Sequence, residues 1–274
     1  MDEITAPYAV AELTEAVPLR IKLSTNVAAK TDLGRVRENN EDKFEFYIPE
    51  SEELLARRGH VYLVCDGMGG HSAGQIASEL ATKTFIEVYL HHPAIDPKVA
   101  ALAAAQAAHR FVLDVGRAVA QRRGMGTTLS ALLLIQDRAW VVQVGDSRVY
   151  RLRGEVFEQI TTDQTWVEDV VAKGVMDRET AEQHQYRHVI LQAIGGENEL
   201  LPDIYELDLA VGDTFLLCSD GLTNHLSNGQ IHETLSQNGL SEACWQLVNA
   251  ALAGGGSDNC TVLAVNVRAM DLVD

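Results

Sequence analysis

Thr128-Leu-Ser-Ala-Leu-Leu-Leu-Ile135-Gln-Asp-Arg-Ala-Trp140-Val-Val-Gln-Val144-Gly-Asp146-Ser-Arg148-Val-Tyr-Arg-Leu-Arg153 contains three strand-like runs and almost nothing else. The runs are 128–135, 140–144 and 149–153, joined by Gln-Asp-Arg and Gly-Asp-Ser turns too short to hold a helix. That is the signature of a meander, whose successive strands run antiparallel. Upstream, Val61–Cys65 reads as a short buried strand. Ile76, Ala77, Leu80, Ala81, Thr84, Phe85 and Val88 then recur at helical spacing to about Leu90. Pro93 and Pro97 punctuate the link, and the Ala-rich stretch from Lys98 to Gln121 predicts a second helix. Downstream, residues 163–187 are polar and helical, with Gly174 in the middle, and read as a mobile insertion. Strands follow at 204–209 and 214–218, then an amphipathic helix through Ala243, Leu247, Val248 and Ala251, then a closing strand at 261–267. No regular βαβ alternation runs through this order, so the pattern predicts an α+β fold with mainly antiparallel sheet.

The chain has 274 residues, 46% of them hydrophobic, and no Pro-, Ser- or Gly-rich divider. One domain over residues 25–274 is expected, with residues 1–24 as an N-terminal arm or edge strand. No apolar run approaches the roughly 20 residues needed to span a bilayer, and the first residues lack the basic start of a secretion signal. Cys65, Cys218, Cys244 and Cys260 have no CxxC spacing and are read as reduced, buried thiols of a cytoplasmic protein. A net charge of −17 argues against nucleic acid or an anionic membrane as partner.

Acidic residues recur at strand ends. Tyr62-Leu-Val-Cys-Asp66-Gly67-Met-Gly-Gly-His71 and Phe215-Leu-Leu-Cys-Ser-Asp220-Gly221 both run apolar and stop on an aspartate. Gly254-Gly-Gly-Ser-Asp258-Asn259 leads into the closing strand, and Asn40-Glu41-Asp42 and Gly145-Asp146-Ser147 add two more acidic spots. Asp-Gly and Asp-Asn are ordinary turn formers one at a time. Several carboxylates aimed at one place repel unless cations sit among them, and oxygen donors without His or Cys suit Mg²⁺ or Mn²⁺.

Taken in order, these motifs resemble one family. Thr31-Asp-Leu-Gly-Arg-Val-Arg37-Glu-Asn-Asn-Glu41-Asp42, Asp66-Gly-Met-Gly-Gly-His71-Ser-Ala-Gly74, Gly124-Met-Gly-Thr-Thr128, Val144-Gly-Asp146-Ser-Arg-Val-Tyr150, Ser219-Asp220-Gly221 and Ser257-Asp258-Asn259-Cys-Thr261-Val look like bacterial PPM-type protein phosphatases. These are the metal-dependent serine/threonine phosphatases of the 2C type.

The resemblance implies a four-layer α-β-β-α sandwich, two sheets flanked by helix pairs, with a metal cleft at one end and residues 163–187 as a flap beside it. It implies hydrolysis of phosphoserine and phosphothreonine by a metal-bridging hydroxide, with two tightly bound Mn²⁺ or Mg²⁺ ions and a third, weaker one. Asp66 would bridge the tight pair, Asp220 and Asp258 would hold one ion and the Gly67 carbonyl the other, with Glu41 and Asp42 acting mostly through water. Asp146 would share the weak ion with Asp220. Arg37 would grip the substrate phosphate, and His71 would act as general acid to the leaving oxygen. Phosphorylated proteins are the implied partners, including a serine/threonine kinase or its substrates, for a monomeric enzyme. A catalytically silent regulator with the same fold is the alternative, but it would be expected to have lost a bridging aspartate or Arg37. Gln164 and Gln192 depart from the family pattern beside the flap, where many relatives carry His and Arg, and bear on substrate recognition.

Overall fold

The computed structural model describes residues 17–69 and 72–273. Two five-stranded sheets, antiparallel throughout, stack face to face. The first has the order β1 (Ile21–Asp32), β12 (Cys260–Leu272), β11 (Thr214–Cys218), β8 (Arg148–Arg153) and β9 (Val156–Gln159). The second has the order β10 (Asp203–Asp208), β7 (Arg138–Val144), β6 (Leu129–Ile135), β3 (His60–Cys65) and β2 (Lys43–Tyr47). A two-residue ladder joins β4 (Gly67–Met68) to β5 (Gly126–Thr127).

The meander is divided between these sheets. β6 and β7 form a hairpin, but β8 pairs with β11 and β9 in the other sheet. Gly145-Asp146-Ser147 is therefore a corner between sheets rather than a hairpin turn. Gly145 makes the corner possible: its φ is +93°, and a Cβ there would lie 2.7 Å from the Thr128 methyl.

Alternation along the strands divides the core. Val61 and Leu63 of β3 face α2 (Ala73–His91) and α3 (Pro97–Ala118), packing with Ala77, Ala81, Phe85 and Ala104. Tyr62 and Val64 point the other way, into the space between sheets, with Leu132, Val141, Phe215, Leu217 and Leu263. Both faces being covered explains why all six residues of β3 are buried. On the far side, Leu216, Val262 and Ala264 pack against α7 (Asn228–Gln237) and α8 (Leu240–Ala253) through Ile231, Leu247 and Val248. The layers run α-β-β-α. The start of α3 is set by Asp96, whose side chain accepts from the Lys98 N–H, and by Pro97 in the first turn.

β1 begins at Ile21, so residues 21–24 continue an edge strand, while residues 1–16 lie outside the described residues. The insertion carries two short helices, α4 (Trp166–Ala172) and α5 (Arg178–Glu182), with Gly174 at φ +68° after the first. Its base extends past residue 187: Thr165 bridges Ile190, and the Leu191 N–H donates to the Gln164 carbonyl. No described helix is long and apolar enough to cross a membrane.

Candidate functional site

Antiparallel register brings the acidic positions to one end of the sandwich. Cys65, the last residue of β3, sits opposite Lys43, the first of β2, which places Asp66 beside Glu41-Asp42. In the other sheet Cys218, the last residue of β11, sits between Arg148 and Val262, which places Asp220 near the Asp146 corner and near Asp258. Glu41 and Asp42 thus lie in the loop before β2, β2 being the second strand of the chain.

Hydrogen bonds lock these loops across the two sheets. Ser219 Oγ donates to Asp42 Oδ2 at 2.7 Å. Asn259 Oδ1 accepts from the Glu41 N–H at 2.8 Å, while its Nδ2 donates to the Leu33 and Asn39 carbonyls at 2.8 and 3.0 Å. The Asp66 N–H donates to Thr128 Oγ1 at 2.8 Å, and Thr127 Oγ1 donates back to the Asp66 carbonyl at 2.8 Å. The neighbouring glycines are sterically required. A Cβ on Gly67 would lie 2.2 Å from the Gly74 carbonyl oxygen, and one on Gly74 would lie 2.8 Å from Glu41 Oε2.

The carboxylates are buried and crowd one another. Asp66 is pushed well above the usual carboxylate range by burial first, then by Asp42, Asp220, Asp146 and Asp258. Burial raises Asp42 to about 7, and Asp220 and Asp258 add to it. Asp146 is raised to about 8 by burial, then by Asp220 and Asp163. Asp220 is raised by burial and by Asp258. Glu41 is raised by burial, against the opposing pull of Arg37. Arg37 is the cation at this rim: Nη2 donates to Asp258 Oδ2 at 2.6 Å, and that hydrogen bond raises its own pKa.

Among the described residues, three buried carboxylate oxygens have no hydrogen-bond partner: Glu41 Oε1, Asp42 Oδ1 and Asp220 Oδ1. Unpaired buried anions of this kind are costly unless a cation neutralises them. The donor set is all oxygen, since burial lifts the nearby Cys65 and Cys218 thiols to about 12 and keeps them protonated. Hard oxygen donors fit Mg²⁺ or Mn²⁺. Among the described residues no three acidic, His or Cys groups converge at ligating distance around one point. Asp258 Oδ2 is bonded to Arg37, and Asp220 Oδ2 accepts from Asn224 Nδ2 at 3.0 Å.

Of the expected site residues, Arg37, Glu41, Asp42, Asp66, Gly67, Asp146, Asp220 and Asp258 lie at this end of the fold, and His71 lies outside the described residues. Sequence reasoning did not single out Asn259 or Ser219 as the straps between sheets. The available signal was position alone, each residue being adjacent to an acidic site residue.

The sequence profile of the family described as Protein phosphatase 2C matches residues 35–251, and the chain belongs to that family. The serine/threonine protein phosphatase PstP of Mycobacterium tuberculosis is 36% identical over 248 residues, covering 90% of this chain and 46% of the relative. The chain thus spans about half the length of that curated relative. The serine/threonine phosphatase stp of Listeria innocua is 32% identical over 246 residues, covering 88% of this chain and 95% of the relative. Among solved structures, the S. agalactiae serine/threonine phosphatase superposes with a TM-score of 0.81 at 30% identity, covering 89% of this chain and 100% of the other. The catalytic domain of PstP in complex with two manganese ions superposes with a TM-score of 0.77 at 35% identity, covering 90% and 100%.

Proposed function

We propose that the chain hydrolyses phosphoserine and phosphothreonine esters in proteins, opposing a bacterial serine/threonine kinase, with Mn²⁺ or Mg²⁺ as cofactor. The observation that carries this reading is the set of partnerless buried oxygens on Glu41, Asp42 and Asp220 around Asp66, with Arg37 at their rim. Asp66, Asp220, Asp258 and the Gly67 carbonyl would hold two ions, Glu41 and Asp42 would act through ordered water, and Asp146 with Asp220 would hold a third, weaker one. When bound, such ions supply an acidified water and shield the negative phosphoryl group.

The chain's own residues would do the rest. Arg37 would exchange its Asp258 contact for two phosphate oxygens, a geometry that guanidinium matches with paired hydrogen bonds. This local cation matters because a −17 chain repels a phosphoprotein at long range. Asn259 and Ser219 would keep the two sheets' contributions in register as substrate binds. His71 is the candidate to hand a proton to the leaving alkoxide.

The test is hydrolysis of an aryl phosphate and of a phosphothreonine peptide with and without added Mn²⁺ or Mg²⁺. Turnover is expected only with the cation, and full activity in excess chelator overturns the reading.

A further inference from the structure

The base of the flap grips the corner that carries Asp146. Asp163 accepts from Arg148 Nε at 2.9 Å and from Arg148 Nη2 at 2.7 Å, two residues beyond Asp146. Gln164 binds the residue just before Asp146, and it binds both sides of it. Its main-chain N–H donates to the Gly145 carbonyl at 2.9 Å, and its side-chain Oε1 accepts from the Gly145 N–H at 2.9 Å. The far end of the same amide donates through Nε2 to Asp203 Oδ2 at 2.8 Å, at the first residue of β10.

A second glutamine holds the corner from inside the sheet. Buried Gln143 donates through Nε2 to the Gly145 and Ser147 carbonyls at 3.0 and 2.6 Å, and its Oε1 accepts from Ser130 Oγ at 2.7 Å. Gln143 is part of β7, whereas Gln164 belongs to the flap base. One support of the corner comes from within the sheet and the other from the segment that leads into the flap.

We propose that Gln164 is a positioning residue that couples the docking of the flap base to the setting of Asp146. The inference rests on the reading of Asp146 as a metal-site carboxylate. With the base docked, the Gly145 peptide is held at both its N–H and its carbonyl, and Asp146 has one placement. Loss of the Gln164 amide frees the Gly145 N–H and leaves the corner held by Gln143, by the Gln164 main-chain N–H and by the Arg148–Asp163 pair. The flap then influences turnover without touching substrate at this residue.

Hydrogen exchange in the metal-free protein reads the clamp independently of catalysis. In Gln164→Ala the Gly145 amide should exchange about fivefold to tenfold faster, the effect of losing one hydrogen bond. Asp203→Ala removes only the outer anchor and should accelerate it less. In the metal-loaded enzyme Gln164→Ala should lower kcat for an aryl phosphate and leave KM unchanged, and it should lower kcat no further in an Asp146→Ala background. Unchanged Gly145 exchange, or an equal fall in both backgrounds, overturns the proposal. Wild-type turnover in Asp146→Ala alone would instead remove Asp146 from the proposed metal site, with Gly145 exchange still deciding whether Gln164 holds the corner.

Discussion

Arg37 and Asp258 are joined across 221 positions of sequence by a single hydrogen bond of 2.6 Å. The arginine side chain is 50% exposed and the aspartate 27%, so the pair lies at the solvent-facing rim of the acidic cluster. An ion pair this exposed adds little to stability. Its interest is that each partner has another expected task, and the two must separate for either to be performed.

Arg37→Ala should therefore leave thermal stability nearly unchanged and raise KM roughly 10- to 100-fold, the range for losing a hydrogen bond to a charged group. The increase should appear for both an aryl phosphate and a phosphopeptide. Steady-state kinetics on the two substrates make the check, and unchanged kinetics would reduce Arg37 to a surface residue.

Asp66 is the most crowded carboxylate, with four others acting on it. Asp66→Asn should raise the stability of the metal-free protein by on the order of 1 kcal/mol, because it replaces a carboxyl that burial and its neighbours force to hold a proton it would shed in the unfolded chain. The same change should abolish turnover and the stabilisation gained on adding Mn²⁺. Melting curves with and without metal separate the two effects.

The raised carboxylates also set a pH dependence. In the unfolded chain these groups ionise near pH 4, whereas in the metal-free fold Asp42 and Asp146 keep their protons to about 7 and 8. The folded state holds more protons in that interval, so this contribution is fully present below about pH 4 and lost as pH rises to about 8. Metal-free protein should melt at lower temperature at pH 8 than at pH 5.5, about as expected from this linkage. Saturating Mn²⁺ should flatten the slope and Asp42→Asn should reduce it. A metal-free stability that rises over this interval would contradict the burial of charge described above.

The flap closes on itself at Thr165 and Ile190, and within it Trp166 lies against His184 and Tyr186 at ring-centroid distances of 4.9 and 5.5 Å. Replacing residues 166–189 by a short linker that preserves Gln164 and Leu191 should change the preference among phosphopeptides more than aryl-phosphate hydrolysis. Equal loss on both substrates would mean that these residues support the site itself.

All four cysteines are free and buried, and burial raises Cys65 and Cys218 to about 12 and Cys244 to about 11. Alkylation of the native protein at neutral pH should leave them unmodified, with labelling appearing only on unfolding. Mass spectrometry gives the readout.

Strongly periodic elements were legible in sequence. β3, α2, α3, β6, β7, β11 and α8 all fall within a few residues of their expected spans, because each buries a continuous apolar face. Only the first residues of β1 fell within the expected arm or edge strand over residues 1–24, since none of its side chains is fully buried, Lys22, Ser24, Asn26 and Thr31 are exposed, and it is a strand by virtue of twelve register partners in β12. α7 was missed although Ser227 and Gln230 form a capping box whose Ser-x-x-Gln spacing is visible in sequence. The departure of β8 into the other sheet could not be read from the meander, because turn length does not report which sheet a strand joins. The acidic residues of the site announced themselves at strand ends. The polar straps from Asn259 and Ser219 did not, and Gln164 stood out only as a departure from the family pattern, since the bonds all three make depend on partners distant in sequence.

Asp66 hangs from one sheet and Asp220 and Asp258 from the other, so the distance between them is a property of how the sheets sit on each other. The side chains between the sheets, Tyr62, Leu132, Phe215 and Leu263 among them, therefore act as the gauge that spaces these three carboxylates, the proposed metal ligands. A slip of a few tenths of an ångström there would matter little to a hydrophobic core but would be felt in full at the cleft. Conservative repacking of that interior layer is where this protein should lose its chemistry while still keeping its fold.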